Sequence, residues 1–309
     1  MKRVAITGAS GLVGRCLVPF LRAAGHDVVR LVRRSAAAAD ELQWQPETGK
    51  ADADGLRRCD AVVHLAGANL ADGRWTPARK QLIRDSRMIG TETLARFLAA
   101  DPLAPRIWVS ASAVGFYGSR GDEWLDETTG PGSGFLAEVC QEWERATLPA
   151  RAAGVRVVNL RLGVVLARNG GVLGKMAPAF RWGMGAVLGD GRNWMSWIGE
   201  DDLCRIVLWA LSDAEIKGPV NAVAPLPVQS AEFARCLGKS LRRPVVWRVP
   251  VPVVRLVFGK MGEETVLASH RVRPTVLERA GFDFRDRELK AVMEKALGRS
   301  GEANSVLGQ

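Results

Sequence analysis

A glycine-rich turn between a short apolar run and an amphipathic segment constrains the fold more than any other feature. Arg3–Thr7 has strand character, and Leu12–Ala24 carries apolar residues at helical spacing. Between them, Gly8 permits a tight turn, Gly11 lets the backbone approach a pyrophosphate, and Gly14 allows close helix–strand packing. The N-terminus of the following helix offers free N–H groups and a partial positive charge. The pattern predicts a dinucleotide-binding unit; the alternative is a glycine-rich turn with only a structural role.

Apolar runs alternate with amphipathic segments through the first 165 residues, which is typical of a parallel sheet wrapped in helices. We therefore predict an α/β fold, a Rossmann-type doubly wound parallel sheet with a smaller C-terminal substrate-binding region. The predicted strands are Arg3–Thr7, Asp27–Val32, Ala61–Leu65, Ile107–Ala111 and Val155–Leu160. The predicted helices here are Leu12–Ala24, Thr76–Ala100 (capped by Thr76, with Pro77 at its first position) and Glu138–Ala152.

The pattern changes after Gly163. We expect residues 1–165 to form the cofactor-binding domain, with a late strand and helix from about 200–225 packing onto it. Residues 166–298 would form the smaller substrate region and 299–309 a flexible tail. Within this half we predict long loops over 167–191, a helix at Asp201–Leu211, an irregular connection over 245–257 and a helix at Arg285–Leu297.

The end of the second predicted strand indicates which dinucleotide is bound. An NAD site places an acidic residue there to accept the ribose 2′-hydroxyl. This chain has Arg33 and Arg34 instead, which could clamp a 2′-phosphate through charge-assisted hydrogen bonds. We therefore predict NADP(H) in preference to NAD(H); the alternative is two solvated surface arginines.

Composition excludes several other classes. The net charge is +10, but the 43 basic and 33 acidic residues are interleaved, so we expect no nucleic acid partner. No apolar stretch reaches the roughly 18 residues of a membrane span, and there is no signal-peptide pattern, so we expect a cytoplasmic protein without a membrane partner. The five cysteines and three histidines are scattered, which predicts no metal site and no disulfide framework.

Further motifs resemble the extended short-chain dehydrogenase/reductase superfamily. They are the runs Asp60–Gly67, Ser110–Gly118 and Trp197–Asp202. A closer resemblance is to its atypical subgroup labelled "epimerase family protein". That resemblance is carried by Arg74–Thr76, Ser86-Arg87 with Gly90-Thr91, Leu136–Glu138 through Trp143-Glu144, and Gly163–Leu166. The subgroup's C-terminal extension is similar to Phe258–Lys260, Arg271–Pro274 and Ala280–Phe282.

The turn, the strand ends and this resemblance together imply a set of cofactor contacts. In the subgroup, a cofactor-contacting arginine falls where Arg87 stands, which implies a phosphate- or ribose-facing role. The predicted cofactor-binding residues are Thr7, Gly8, Ser10, Gly11, Leu12, Gly14, Arg33, Arg34, Leu65, Ala66, Gly67, Arg87, Ser110 and Val164.

One departure from the superfamily pattern bears on catalysis. Its enzymes use Tyr-x-x-x-Lys, in which the lysine lowers the tyrosine pKa. Here the aligned positions hold Phe135 and Val139, and the single tyrosine of the chain is Tyr117. We therefore predict Tyr117 as the catalytic phenol with Ser112 as its partner, Ser110 being the alternative serine.

A phenol with a pKa near 10 needs a cation nearby to act at neutral pH. The nicotinamide ring, Arg87 and Arg161 are the candidates for that cation. The alternative for Tyr117 is that it only packs beside the cofactor.

Two functions remain open at this stage. The first is an NADP-dependent oxidoreductase or nucleoside-diphosphate-sugar epimerase acting on a small carbonyl or sugar-nucleotide substrate. The second is a non-enzymatic NADPH-binding sensor or regulatory protein. Several superfamily members dimerise through helices like Thr76–Ala100 and Glu138–Ala152, so the resemblance is compatible with a homodimer.

Overall fold

The computed structural model describes residues 1–168 and 170–298. Its strands are β1 Arg3–Thr7, β2 Asp27–Val32, β3 Glu41–Gln45, β4 Lys50–Ala51, β5 Ala61–His64, β6 Ile107–Ala113, β7 Trp124–Leu125, β8 Arg156–Leu162, β9 Val164–Leu166, β10 Ala186–Leu188, β11 Trp194–Met195, β12 Trp197–Gly199, β13 Gly218–Ala222, β14 Val228–Gln229, β15 Trp247–Val249 and β16 Arg271–Val272.

The helices lie mainly between these strands. They are α1 Leu12–Ala23, α2 Ala53–Arg57, α3 Pro77–Ala100, α4 Phe135–Arg145, α5 Leu148–Ala152, α6 Gly171–Arg181, α7 Glu200–Ser212, α8 Ser230–Leu241, α9 Val251–Met261, α10 Thr275–Arg279 and α11 Leu289–Ala296. Short 3-10 turns occur at Pro46–Thr48 and Val114–Tyr117, and a π-helical turn at Gly262–Val266.

The central sheet has the predicted doubly wound form. Among the described residues its strand order is β13-β8-β6-β5-β1-β2-β3-β4, and every neighbouring pair is parallel except β3 with β4. The chain moves outward from β1 through β2 on one side and from β5 through β6 on the other, so the order reverses between β1 and β5. Ligands of such sheets bind in the crevice at this switch point, beyond the carboxyl ends of the strands. The Rossmann-type prediction is confirmed.

Apolar cores on both faces hold this sheet between helices. On one face, Leu17 of α1 and Val207 of α7 are buried against the strands. On the other face, Leu94 and Leu98 of α3 pack with Trp108 of β6. Because full burial of one such aliphatic side chain stabilises a fold by about 1.5–3 kcal/mol, these two layers fix the strand ends that form the crevice.

The helix predicted from Thr76 has the expected start. Thr76 is the N-cap of α3, its hydroxyl accepts a hydrogen bond from the Arg79 backbone N–H at 3.2 Å, and Pro77 occupies the first position. The missing N–H of Pro77 costs nothing there, because the first N–H groups of a helix have no intrahelical partner.

The single helix predicted over Glu138–Ala152 is wrong. The structure has α4 and α5, separated at Ala146 and Thr147. Pro149 lies in the first turn of α5, where a proline is tolerated, and the Thr147 hydroxyl donates to the Glu144 carbonyl at 2.7 Å. The proline therefore marks a helix start that the apolar spacing alone conceals.

Two predictions of irregular structure are also wrong. Residues 167–191 contain α6, which buries Leu173, Ala177 and Phe180 on one face, and the strand β10. Residues 245–257 contain β15, which pairs in parallel with β10, and most of α9. In both places glycines or prolines lie at element starts, so they delimit regular structure there instead of preventing it.

The C-terminal half contributes to two parts of the fold, the central sheet and a separate apolar core. Its strand β13 and helix α7 pack onto the N-terminal sheet. A separate apolar core gathers α6, α8 and α11 around Phe180, Phe233, Leu237 and Met293. The last helix begins at Leu289, later than the predicted Arg285, and the tail predicted at 299–309 lies outside the described residues.

Candidate functional site

The glycine-rich turn has a geometry that other residues could not adopt without strain. Gly8 has φ of 67°, and a Cβ there would lie 2.8 Å from the Leu65 carbonyl carbon. A Cβ on Gly14 would lie 2.5 Å from the Ala9 Cα. The Gly11 N–H donates to the Gly8 carbonyl at 2.9 Å, which closes the turn. The backbone therefore passes close to β5 and to itself at the switch point.

Thr7 ties β1 to β5 beside this turn. Its hydroxyl oxygen accepts the backbone N–H groups of Leu65 and Ala66 at 3.1 and 3.2 Å and lies 2.7 Å from His64 Nδ1. A hydroxyl has one proton and two acceptor sites, so it donates to Nδ1, and His64 carries its own proton on Nε2. Burial lowers the pKa of His64 to about 3, so the imidazole is neutral.

The N-terminus of α1 is open toward the crevice. Its N-cap is Gly11, no side chain caps it, and its first turn has no acidic residue. Ser10 is exposed and Leu12 half-buried. A Cβ on Gly170 would lie 2.6 Å from a Leu12 methyl, so the segment before α6 passes over the turn. The first N–H groups of α1 are thus available to an anion such as a pyrophosphate.

The two arginines at the end of β2 differ in environment. Arg33 is exposed, and no ion pair joins it to another described residue. Arg34 donates to both carboxylate oxygens of Glu41 at 2.8 and 2.6 Å. Arg34 holds the pKa of Glu41 below its usual value, and Glu41 raises the pKa of Arg34. The two predicted contacts therefore differ: the Arg34 guanidinium is paired with Glu41, whereas Arg33 has no ion pair with the described residues.

Arg87 places a buried cation at the carboxyl end of β5. Its guanidinium donates to the carbonyls of Ile83 at 2.9 Å and Ala68 at 3.2 Å and lies 5.1 Å from the Trp143 ring. A Cβ on Gly67 would approach it to 3.3 Å. Burial lowers the pKa of Arg87 from its ordinary value, and no carboxylate among the described residues pairs with it. An anionic or hydroxyl-rich ligand would supply that partner.

The serines of β6 have different surroundings. Ser110 is fully buried, and within the described part of the chain its hydroxyl has no hydrogen-bond partner. Ser112 donates to Glu144 Oε1 at 2.7 Å. Glu144 in turn accepts from Arg161 at 2.8 and 2.9 Å, so Ser112 is attached to a buried ion pair.

Tyr117 is attached to the same ion pair, and no hydrogen bond joins it to Ser112 among the described residues. Its side chain is 0 % exposed, its hydroxyl donates to Asn221 Oδ1 at 2.8 Å, and it accepts from Arg161 Nη1 at 2.9 Å. Burial raises the pKa of Tyr117 to about 12, more than Arg161 lowers it. Of the two candidate arginines, Arg161 is the one that contacts the phenol, and the pKa of Tyr117 nevertheless lies above its ordinary value.

The positions that hold Tyr and Lys in the superfamily pattern lie at the start of α4. The Phe135 ring packs edge-on against Trp75 with 5.3 Å between centroids, and Val139 is buried. Leu136 lies beside the end of β6, because a Cβ on Gly115 would be 3.5 Å from its Cβ. This helix start therefore borders the carboxyl ends of the strands but offers no proton-transferring side chain at either position.

Three residues with polar roles here were not identified from the sequence. Glu144 belongs to the motif that runs from Leu136 to Glu144, but no role was assigned to it. No sequence pattern pointed to Asn221 or Glu264. The Glu264 carboxylate accepts the Leu136 N–H at 2.8 Å across a separation of 128 residues. Val164, predicted as a cofactor contact, is half-buried in β9, and its N–H donates to the Ser196 carbonyl at 2.8 Å.

Candidate metal sites and membrane spans are absent from residues 1–168 and 170–298. No group of three or more His, Cys, Asp or Glu side chains in these ranges could hold a metal ion. Each helix in the same ranges is too short or too polar to span a bilayer.

Known proteins are similar to this chain over most of its length. The family described as "NAD dependent epimerase/dehydratase family" matches residues 4–222, and "Domain of unknown function (DUF1731)" matches 249–296. An epimerase family protein of Mycobacterium bovis is 45% identical over 298 residues, which are 96% of this chain and 98% of that protein.

Two solved structures are similar as well. The crystal structure of human epimerase family protein SDR39U1 with NADPH is 31% identical with a TM-score of 0.85, covering 96% of this chain and 99% of that one. A nucleoside-diphosphate sugar epimerase from Corynebacterium glutamicum is 39% identical with a TM-score of 0.79, covering 96% of this chain and 58% of that one.

Proposed function

This chain belongs to the NAD dependent epimerase/dehydratase family, and we propose that it binds NADP(H) and transfers hydride to or from a small carbonyl or sugar-nucleotide substrate. The observation that carries the cofactor choice is Arg33, an exposed arginine without an ion pair to any described residue, at the end of β2. The human relative with NADPH supports the same cofactor.

The residues at the switch point fit this cofactor from end to end. Arg33 would bind the 2′-phosphate, and the N-terminal N–H groups of α1 would bind the pyrophosphate. Arg87, near Gly67, would face the ribose or phosphate on the other side of the switch point. When bound, NADP(H) supplies the hydride chemistry, and the chain supplies position and charge.

The substrate would meet the cofactor beyond β5 and β6. The loop after β5, the start of α4 and helix α9 surround that place: Trp75 packs on Phe135, and Arg74 donates to the Leu256 carbonyl. A sugar-nucleotide substrate is supported by the relative from Corynebacterium glutamicum. Ser112 is the hydroxyl that we propose to polarise a substrate oxygen, by turning its proton from Glu144 to that oxygen, while Tyr117 keeps Arg161 in place.

A second function, NADPH binding without catalysis, is favoured by Phe135 and Val139 and by the burial of Tyr117. Incubation of the NADPH-loaded protein with carbonyl compounds, and of the NADP⁺-loaded protein with UDP-sugars, separates the two. We expect cofactor oxidation or sugar epimerisation with at least one compound. We also expect Ser112→Ala to lower that turnover while it keeps NADPH affinity. Tight NADPH binding with no turnover across the panel would support the binding protein instead.

A further inference from the structure

A carboxylate from the C-terminal extension caps the helix that borders the proposed active site. The N-cap of α4 is Gly134, and no side chain of the helix itself caps it. Glu264, in the π-helical turn after α9, accepts the Leu136 N–H through Oε2 at 2.8 Å. A Cβ on Gly134 would lie 3.3 Å from this oxygen, so the glycine leaves room for the carboxylate.

The strand order indicates which half of the cofactor lies near Glu264. In a doubly wound sheet the two nucleotides lie on opposite sides of the switch point. Arg33 marks the adenosine side over β2, so the nicotinamide half lies over β5 and β6. The start of α4 borders the end of β6 through Leu136 and Gly115. Glu264 is therefore on the nicotinamide side of the crevice.

Four side chains near this helix start offer a substrate no free acid or base. Phe135 and Val139 have no ionisable group. The Tyr117 hydroxyl is buried between Arg161 and Asn221. Both oxygens of Glu144 accept hydrogen bonds from Arg161.

The charged neighbours of Glu264 have other partners. Lys80 lies 4.9 Å from the Phe135 ring, and Glu138 in the first turn of α4 pairs with Arg84. Glu263 pairs with Lys260 and Arg255. No ion pair joins Glu264 to a described residue, and within these residues its Oε1 accepts no hydrogen bond.

We propose that Glu264 is the acid–base carboxylate of this site, brought by the extension to the helix start where a tyrosine is replaced by Phe135. The inference rests on the proposed function. During oxidation of an alcohol, the O–H proton passes to the carboxylate, the C–H hydride passes to oxidised cofactor, and a carbonyl forms; reduction reverses both transfers. The positive end of α4 stabilises the negative charge of the waiting carboxylate.

The first test compares NADP⁺ with NADPH and requires no substrate. A carboxylate beside the nicotinamide favours its oxidised, positively charged ring. We expect Glu264→Gln to weaken the binding of NADP⁺ at least threefold relative to the binding of NADPH. Glu263→Gln, the matched control, should leave the ratio of the two affinities unchanged. The amide oxygen of the introduced glutamine can still accept the Leu136 N–H, so the variant keeps the cap. An unchanged ratio in Glu264→Gln would overturn the proposal.

The second test uses any substrate that the compound panel identifies. General acid–base groups contribute roughly 10²–10⁴-fold to rate, so kcat of Glu264→Gln should fall at least about 100-fold with little change in KM. Wild-type kcat in this variant would also overturn the assignment. If the wild-type protein binds neither nucleotide, the proposed function itself fails and this inference fails with it.

Discussion

Arg161 is the residue that joins the polar groups at the ends of β6 and β8. Its guanidinium pairs with Glu144, donates to the Tyr117 hydroxyl and lies 3.5 Å from the centre of the Phe116 ring. A buried cation of this kind is tolerated because each partner offsets part of the cost of removing it from water. The group therefore fixes the shape of the strand ends, and Ser112 is held by the same carboxylate.

Replacing Tyr117 by Phe tests whether this phenol has more than a structural role. The change leaves Arg161 and Asn221 each without one hydrogen-bond partner, so we expect a loss of about 1–3 kcal/mol in the free energy of unfolding. NADPH affinity should stay within twofold of wild type. Denaturant titration and fluorescence binding measure the two quantities. A variant of normal stability that has lost turnover would instead show that Tyr117 contacts the reacting groups.

At the scale of elements, the sequence allows prediction wherever periodicity and end signals agree. Strands β1 and β2 and the start of α3 were predicted with the observed bounds, because Thr76 and Pro77 mark a helix start independently of the apolar spacing. The turn between β1 and α1 was predicted because its glycines separate a strand-like run from a segment of helical periodicity.

The wrong helix and loop predictions arose where one residue type can either begin a helix or interrupt it. Pro149 and Pro252 lie in first turns of helices, although a proline also breaks helix interiors. Local periodicity cannot separate these cases, because tertiary packing decides them. The same limit applies to the site: Arg33 and Arg34 are equivalent in the sequence, and only the fold brings Glu41 to one of them. The contact between Glu264 and Leu136 likewise has no local signal.

At the scale of the whole molecule, the extension is joined by a two-stranded sheet to the segment that follows the carboxyl end of β6, outside the central sheet. Strand β16 pairs in parallel with β7, which aligns Arg271 with Trp124 and Val272 with Leu125. Glu264 and the loop after β6 are thereby held in one body. The extension thus completes one wall of the site proposed here.

Acid should weaken the whole fold through the fully buried His64 and the partly buried His270. Burial lowers the pKa of His64 to about 3 and that of His270 to about 4, whereas an unfolded histidine titrates near 6.5. Below pH 6.5 the unfolded chain therefore binds protons that the folded chain does not bind. The free energy of unfolding consequently decreases as the pH is lowered. Each histidine should lower the free energy of unfolding by about 2 kcal/mol between pH 6.5 and 5.

Urea unfolding at pH 7 and pH 5 measures this loss. Asp40, whose pKa is lowered to about 2 by Arg30 and Arg22, contributes only at lower pH. His64→Asn, whose amide oxygen can accept the Thr7 hydroxyl proton, should remove about half of the difference. An equal pH dependence in wild type and His64→Asn would contradict the assignment of His64 as a neutral, buried group.

Nucleotide titration tests most directly whether Arg33 binds the 2′-phosphate of NADP(H). NADPH and NADH are titrated against wild type, Arg33→Ala and the matched control Arg34→Ala, followed by tryptophan quenching. We expect wild type to bind NADPH at least tenfold more tightly, about 1.4 kcal/mol. Arg33→Ala should abolish that preference, and Arg34→Ala should keep most of it because Glu41 already holds Arg34. Equal affinities in wild type, or a preference lost in Arg34→Ala and kept in Arg33→Ala, would contradict the account.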